Sequence, residues 1–300
     1  MKWLIYGILA AILFGLWGLF DKLSANINPF VSNIVLYSAA LAIVIIMLLF
    51  ARKFSFSKYG FISGIFAGIG NFFVLFALLK SQLILVLPFV SLAGAAFFIL
   101  IYLTEKPKYS KKQKFLSFIG IILSIVGIFV ISSGTAGIVN FLKSFAFDYS
   151  YILPAIFILT GFTLWTYFTY KSVGKEKISA INYSFWTVLG SFVAVLLAGV
   201  ILKPDALATL AEFTFSSYQY PIFGGVCVAL GAFFTYSAFK ATTTKTRLQE
   251  AIVAILANGE LIPLLFLSYF ILGEWVPEGF IGTIIVLLGL VLIHYAEVSK

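Results

Sequence analysis

Glu260 places an acid near the middle of an apolar stretch, AIVAILANGELIPLLFL. If that stretch is a membrane helix, insertion scales put the cost of the acid at about 2.5–3.5 kcal/mol, so it should face a partner or a water-filled cavity. Two roles fit it. One is a carboxyl that carries protons or binds a solute; the other is a protonated acid hydrogen-bonded to a neighbouring helix. Pro263 has no N–H for the Gly259 carbonyl four residues earlier, and its ring crowds that carbonyl. Asn258-Gly259-Glu260 is therefore predicted to kink, leaving a carbonyl that protein or cavity water must satisfy. On a regular helix Asn258 and Glu260 point about 200° apart, so both reach one cavity only if the helix is distorted there. A plain packing kink is the other reading.

Further polar groups lie inside apolar runs. Asn71, within GIGNFF, is suited to hydrogen-bonding a solute or to joining two helices. Asn182 and Trp186 share one helix face at i, i+4. Trp17 and Trp165 read either as interfacial anchors or as aromatic gates beside a cavity. Other chemistry is poorly provided for. His294 is the only histidine and has no ligand at metal spacing, so neither a metal site nor a Ser/His/Asp arrangement is expected. Cys227 is the single cysteine, which excludes an internal disulfide and CxxC chemistry. No GxxxxGK[ST] loop is present, so no nucleotide engine is expected. No cofactor is implied, and the reading is not an enzyme. An enzyme acting on lipid or isoprenoid would need acids or histidines clustered at the membrane interface, and here they are dispersed.

The elements that must hold these residues follow from composition. The chain is 62% hydrophobic and only 10% charged, far below the roughly 25% charge of soluble chains. Ten runs are long enough to cross a bilayer: 3–20, 30–50, 59–79, 82–103, 115–132, 150–170, 180–202, 218–239, 251–272 and 276–295. A β-barrel would show short alternating segments, whereas Leu41–Phe50 is apolar throughout. The first run lacks a small-x-small cleavage site before Asp21 and is expected to be retained. The net charge of +9 does not point to nucleic acid, because the basic residues alternate by side. Of the 20 Lys and Arg residues, all but Lys22, Lys80, Lys143 and Lys203 fall on one side. The positive-inside rule then puts both termini in the cytoplasm.

An internal repeat completes the expectation. Leu16, Trp17 and Phe20 recur as Leu164, Trp165 and Phe168, and Gly70, Phe72 and Phe73 recur as Gly231, Phe233 and Phe234. Gly120 and Gly127 recur as Gly282 and Gly289. The fold class expected is an all-α integral membrane protein of ten transmembrane helices. It forms two five-helix repeats, 1–140 and 141–300, and an odd number of spans per repeat inserts them in opposite directions. Inverted repeats of this kind support alternating access around a central site.

LFGLWGLFDKL at 13–23, ALLKS at 77–81 and LTEKPKYSKKQKFLSFIGIILSIVGIFVI at 103–131 resemble the EamA branch of the drug/metabolite transporter superfamily. FILGEWVPEGFIGTIIVLLGLVLI at 270–293 repeats the last pattern, so the resemblance covers two EamA units. It implies a ten-helix secondary carrier. Where many relatives carry an Arg about eight residues after a Pro, Pro29 is here followed by Tyr37, which becomes a gate candidate. The expected partners are a small-molecule substrate and the lipid bilayer of the plasma membrane, not nucleic acid; a homodimer is compatible with the fold. Amino acids or related solutes, exported by proton coupling or exchange, are the expected cargo. Sugar or drug-like solutes, a channel, and a non-transporting scaffold are the alternatives.

Overall fold

The computed structural model describes residues 2–24, 27–51, 54–78, 83–105, 110–133, 149–176, 178–202, 214–242, 247–257, 261–272 and 277–298. Among them are eleven helices and no strand. They are α1 (Lys2–Leu23), α2 (Pro29–Ala51), α3 (Lys58–Leu78), α4 (Leu83–Glu105), α5 (Lys111–Ser133) and α6 (Tyr149–Lys175). Then follow α7 (Ala180–Leu202), α8 (Phe215–Ala241), α9 (Arg247–Ala257), α10 (Leu261–Leu272) and α11 (Pro277–Val298). The expected run 251–272 corresponds to α9 and α10. Asn258, Gly259 and Glu260, the sharpest candidates from the sequence, lie outside the described residues.

Among the described residues seven helices, α1, α2, α3, α5, α6, α7 and α8, are long and apolar enough to cross a membrane. A 23-residue helix such as α2 is about 34 Å long, slightly more than a bilayer's hydrocarbon core. Helices suit that medium because each backbone N–H and C=O is satisfied within the segment. The outward faces agree: Phe50 is 83% exposed, Phe270 77% and Ile201 73%. In water such surfaces invite aggregation; against lipid tails they cost little. The architecture is that of a multi-pass helical membrane protein.

Inside, α1 packs on α8 and α3 on α6, while α2 lies against α7 and α8 and α3 also against α7. Exchanging α1 with α6, α2 with α7 and α3 with α8 interchanges these contacts in pairs and leaves the α2–α7 contact unchanged. Side chains follow the same rule. A Cβ on Gly70 would meet the Phe162 ring at 3.0 Å, and one on Gly231 the Phe14 ring at 2.7 Å.

Small residues set the spacing. A Cβ on Gly64 of α3 would lie 2.0 Å from the Thr187 carbonyl oxygen of α7, and one on Gly225 of α8 would lie 2.2 Å from the Leu36 oxygen of α2. Only glycine permits backbones this close, the usual route to tight packing where apolar burial gives helices no advantage over lipid. The repeated glycines of α5 and α11 serve the same end: Gly127 backs onto the Gly282 carbonyl and Gly289 onto that of Gly120.

Candidate functional site

Helices α1, α2, α3, α6, α7 and α8 converge near mid-length on a cavity of about 30 Å³, room for about two water molecules. Phe14 and Trp17 on α1, and Phe162 and Trp165 on α6, form its aromatic wall. Their i, i+3 spacing puts each pair on one helix face. The rings cross between helices: Phe14 meets Trp165 edge-on at 5.6 Å, and Trp17 meets Phe162 at 6.3 Å. These are favourable aromatic separations. Helix α3 adds Asn71, α2 adds Tyr37, and α7 adds Thr187 and Ser191.

Three polar atoms of this cavity are left unsatisfied, although Thr187 and Ser191 donate to the Gly60 and Gly64 carbonyls. Trp17, Trp165 and Asn71 are 3%, 4% and 1% exposed. Yet among the described residues Trp17 Nε1, Trp165 Nε1 and Asn71 Oδ1 have no hydrogen-bond partner. Buried polar groups are nearly always paired, and each exception costs about 1–3 kcal/mol. Asn71 does not lack order. Its Nδ2 donates to Asn33 Oδ1 at 2.8 Å, and Asn33 Nδ2 donates to the Pro29 carbonyl at 3.1 Å. One half of the amide is clamped so that the other half is left as an acceptor.

Asp21 lies one turn beyond Trp17 on the same face of α1 and is 1% exposed. Neither of its carboxyl oxygens has a hydrogen-bond partner among the described residues. The Trp17 indole N–H lies near the carboxyl but outside hydrogen-bond geometry.

Towards the ends of α3 and α7 that carry Lys58 and Ala180, the polar groups are by contrast fully engaged. Thr187 Oγ1 lies 3.2 Å from Ser63 Oγ, which lies 2.8 Å from the Tyr183 hydroxyl; that hydroxyl also bonds Thr169. Tyr183 stacks on Tyr236 with centroids 4.5 Å apart. Further out, Glu176 receives three hydrogen bonds. The Tyr59 N–H donates at 3.0 Å, Ser172 Oγ at 2.6 Å, and Ser57 Oγ completes the set. The carboxyl thereby caps the first turn of α3 and ties it to the end of α6. This end of the bundle is latched.

The sequence candidates divide between these regions. Trp17, Trp165, Tyr37 and Asn71 come together around the cavity. The two tryptophans are interior residues there, not anchors facing the lipid boundary. Asn182 and Trp186 do share a face, but it meets the segment before α3. Asn182 Oδ1 accepts the Ser55 N–H and Trp186 Nε1 donates to the Ser55 carbonyl, each at 2.9 Å. Phe14, Phe162, Thr187, Ser191, Asp21 and Glu176 were not singled out from the sequence. The one signal available was the i, i+4 spacing of Trp17 and Asp21. Among the described residues no group of His, Cys, Asp and Glu could hold a metal ion.

No family model and no curated protein matches the chain. Solved structures do match. One crystal structure of a protein aligns over 99% of this chain and 98% of its own, with a TM-score of 0.74 and 13% identity. At that identity the likeness extends to the fold alone.

Proposed function

We propose that the protein is a secondary transporter that moves small metabolites across the plasma membrane by alternating access. The observation that carries this is the mid-length cavity where α1–α3 meet α6–α8, walled by aromatic rings and holding three buried polar atoms without partners. A scaffold gains nothing from leaving such atoms unpaired; a site that takes solute does. At about 30 Å³ the cavity offers too little space for a metabolite, which fits a narrowed state between two open ones.

The wider reading is a ten-span protein of two inverted five-helix repeats, of the EamA type, with both termini cytoplasmic. The contacts that interchange under exchange of α1–α3 with α6–α8 support the repeats, and the sidedness of the basic residues supports the orientation. The fully bonded cluster from Thr187 to Glu176 then forms the closed cytoplasmic gate. Amino acids or related solutes, exported by proton coupling or exchange, are the cargo in this reading. Glu260 is its coupling carboxyl.

Reconstitution into liposomes tests it. Against a panel of amino acids, amines, sugars and drugs, the account predicts saturable flux with at least one class. Glu260→Gln should lose proton-driven accumulation and keep exchange. Flux that never saturates indicates a channel, and no flux with any solute indicates a scaffold.

A further inference from the structure

The unpartnered groups at the cavity specify a ligand chemistry. Along one face of α1, Trp17 and Asp21 are four residues apart, an axial rise of about 6 Å along the helix. The acceptors without donors are Asn71 Oδ1 and both oxygens of Asp21; the donors without acceptors are the two indole N–H groups. None of the described residues lining the cavity is Lys, Arg or His. A ligand anion would meet no positive charge here and would face a carboxyl one turn away. A ligand cation would find an amide oxygen and aromatic rings in the cavity wall, with the Asp21 carboxyl one turn of α1 beyond Trp17, surroundings that suit an ammonium group. The indole N–H groups still require an acceptor, which a hydroxyl or ether oxygen supplies without adding negative charge.

We infer that the cavity accepts small ammonium-bearing solutes with a neutral hydrogen-bond acceptor, Asp21 serving as the counter-ion. Trp17 and Trp165 hold the acceptor end and the aromatic wall encloses the cation. A carboxyl without a partner in a dry bundle is costly to keep charged, so the cationic solute itself supplies the compensation. The inference rests on the transporter reading and narrows its cargo. Asn71 orients the solute through its oxygen, because Asn33 holds the other half of the amide.

The test is isothermal titration of the purified full chain with two probes that differ only in charge. Choline carries a quaternary ammonium and a hydroxyl; 3,3-dimethyl-1-butanol replaces the nitrogen by carbon. Choline should bind at least tenfold more tightly than the alcohol, and tenfold more tightly than glycine betaine, which adds a carboxylate. Asp21→Asn should bring choline and the alcohol to within threefold of each other. Trp17→Phe should weaken both while keeping the preference for the cation. Equal binding of choline and the alcohol to the native chain overturns the inference, whether or not the Asp21 variant folds; equal binding of betaine overturns the exclusion of anions. Counterflow in liposomes separates the two claims. Charge-selective binding without exchange of any solute would sink the transporter reading alone. Exchange of another solute, with no choline binding, would sink this inference alone.

Discussion

Two substitutions of the same chemistry should move stability in opposite directions. Trp165→Phe and Trp186→Phe each remove one ring and one N–H. The loss of packed volume costs about 1 kcal/mol at the fully buried Trp165 and about half that at the half-buried Trp186. The polar terms differ. Trp165 Nε1 is buried without a partner, so removing it recovers about 1–3 kcal/mol. Trp186 Nε1 donates to the Ser55 carbonyl at 2.9 Å, so removing it gives up about 1 kcal/mol and leaves that carbonyl to find water. The polar terms outweigh the difference in volume, leaving Trp165→Phe more stable than Trp186→Phe by about 1.5–3.5 kcal/mol. Thermal unfolding of the detergent-solubilised protein should separate the two midpoints by roughly 4–8 °C. Trp165→Phe should also lose solute affinity while matching or exceeding the native midpoint. Equal midpoints, or a lower one for Trp165→Phe, would refute the claim that the indole N–H is held unpaired.

Other expectations follow the same physics. Asn71→Ala removes an unpaired oxygen but strands Asn33 Oδ1, so the unfolding midpoint should move little while flux in liposomes falls at least tenfold. Gly64→Ala drives a Cβ into the Thr187 carbonyl and should cost at least about 2–3 kcal/mol. Gly174→Ala, with nothing within 4 Å of the new methyl, should be neutral or stabilising by up to about 1 kcal/mol; midpoints measured side by side check both. Glu176→Ala removes the acceptor of the Tyr59 N–H, and hydrogen exchange at the first turn of α3 should quicken by about tenfold or more.

The sequence carried the helices clearly, because uninterrupted apolar runs near 20 residues leave few other structures in a bilayer. It carried the cavity unevenly. Asn71 stood out because an amide is rare within such a run, and the tryptophans because they repeat. Phe14, Phe162, Thr187 and Ser191 carried no such mark. In a chain with 34 Phe, and with helices apolar on every side, nothing distinguishes a ring that faces the interior from one that faces lipid. Asp21 read as a boundary residue because it follows the apolar run 3–20; only packing shows it to be enclosed. Asn182 and Trp186 show the converse. Their shared face followed from spacing, but what that face meets depends on Ser55, far away in sequence.

The central claim is that one buried cavity is reached from each side of the membrane in turn. Ala67 lines that cavity and Cys227 is the only native thiol, so Ala67→Cys in a Cys227→Ser background provides a single reporter. A membrane-impermeant thiol reagent should modify it from either face of sealed, oriented vesicles, with no ion conductance across the same membranes. Reaction from neither face, from one face only, or together with steady conductance would contradict the account.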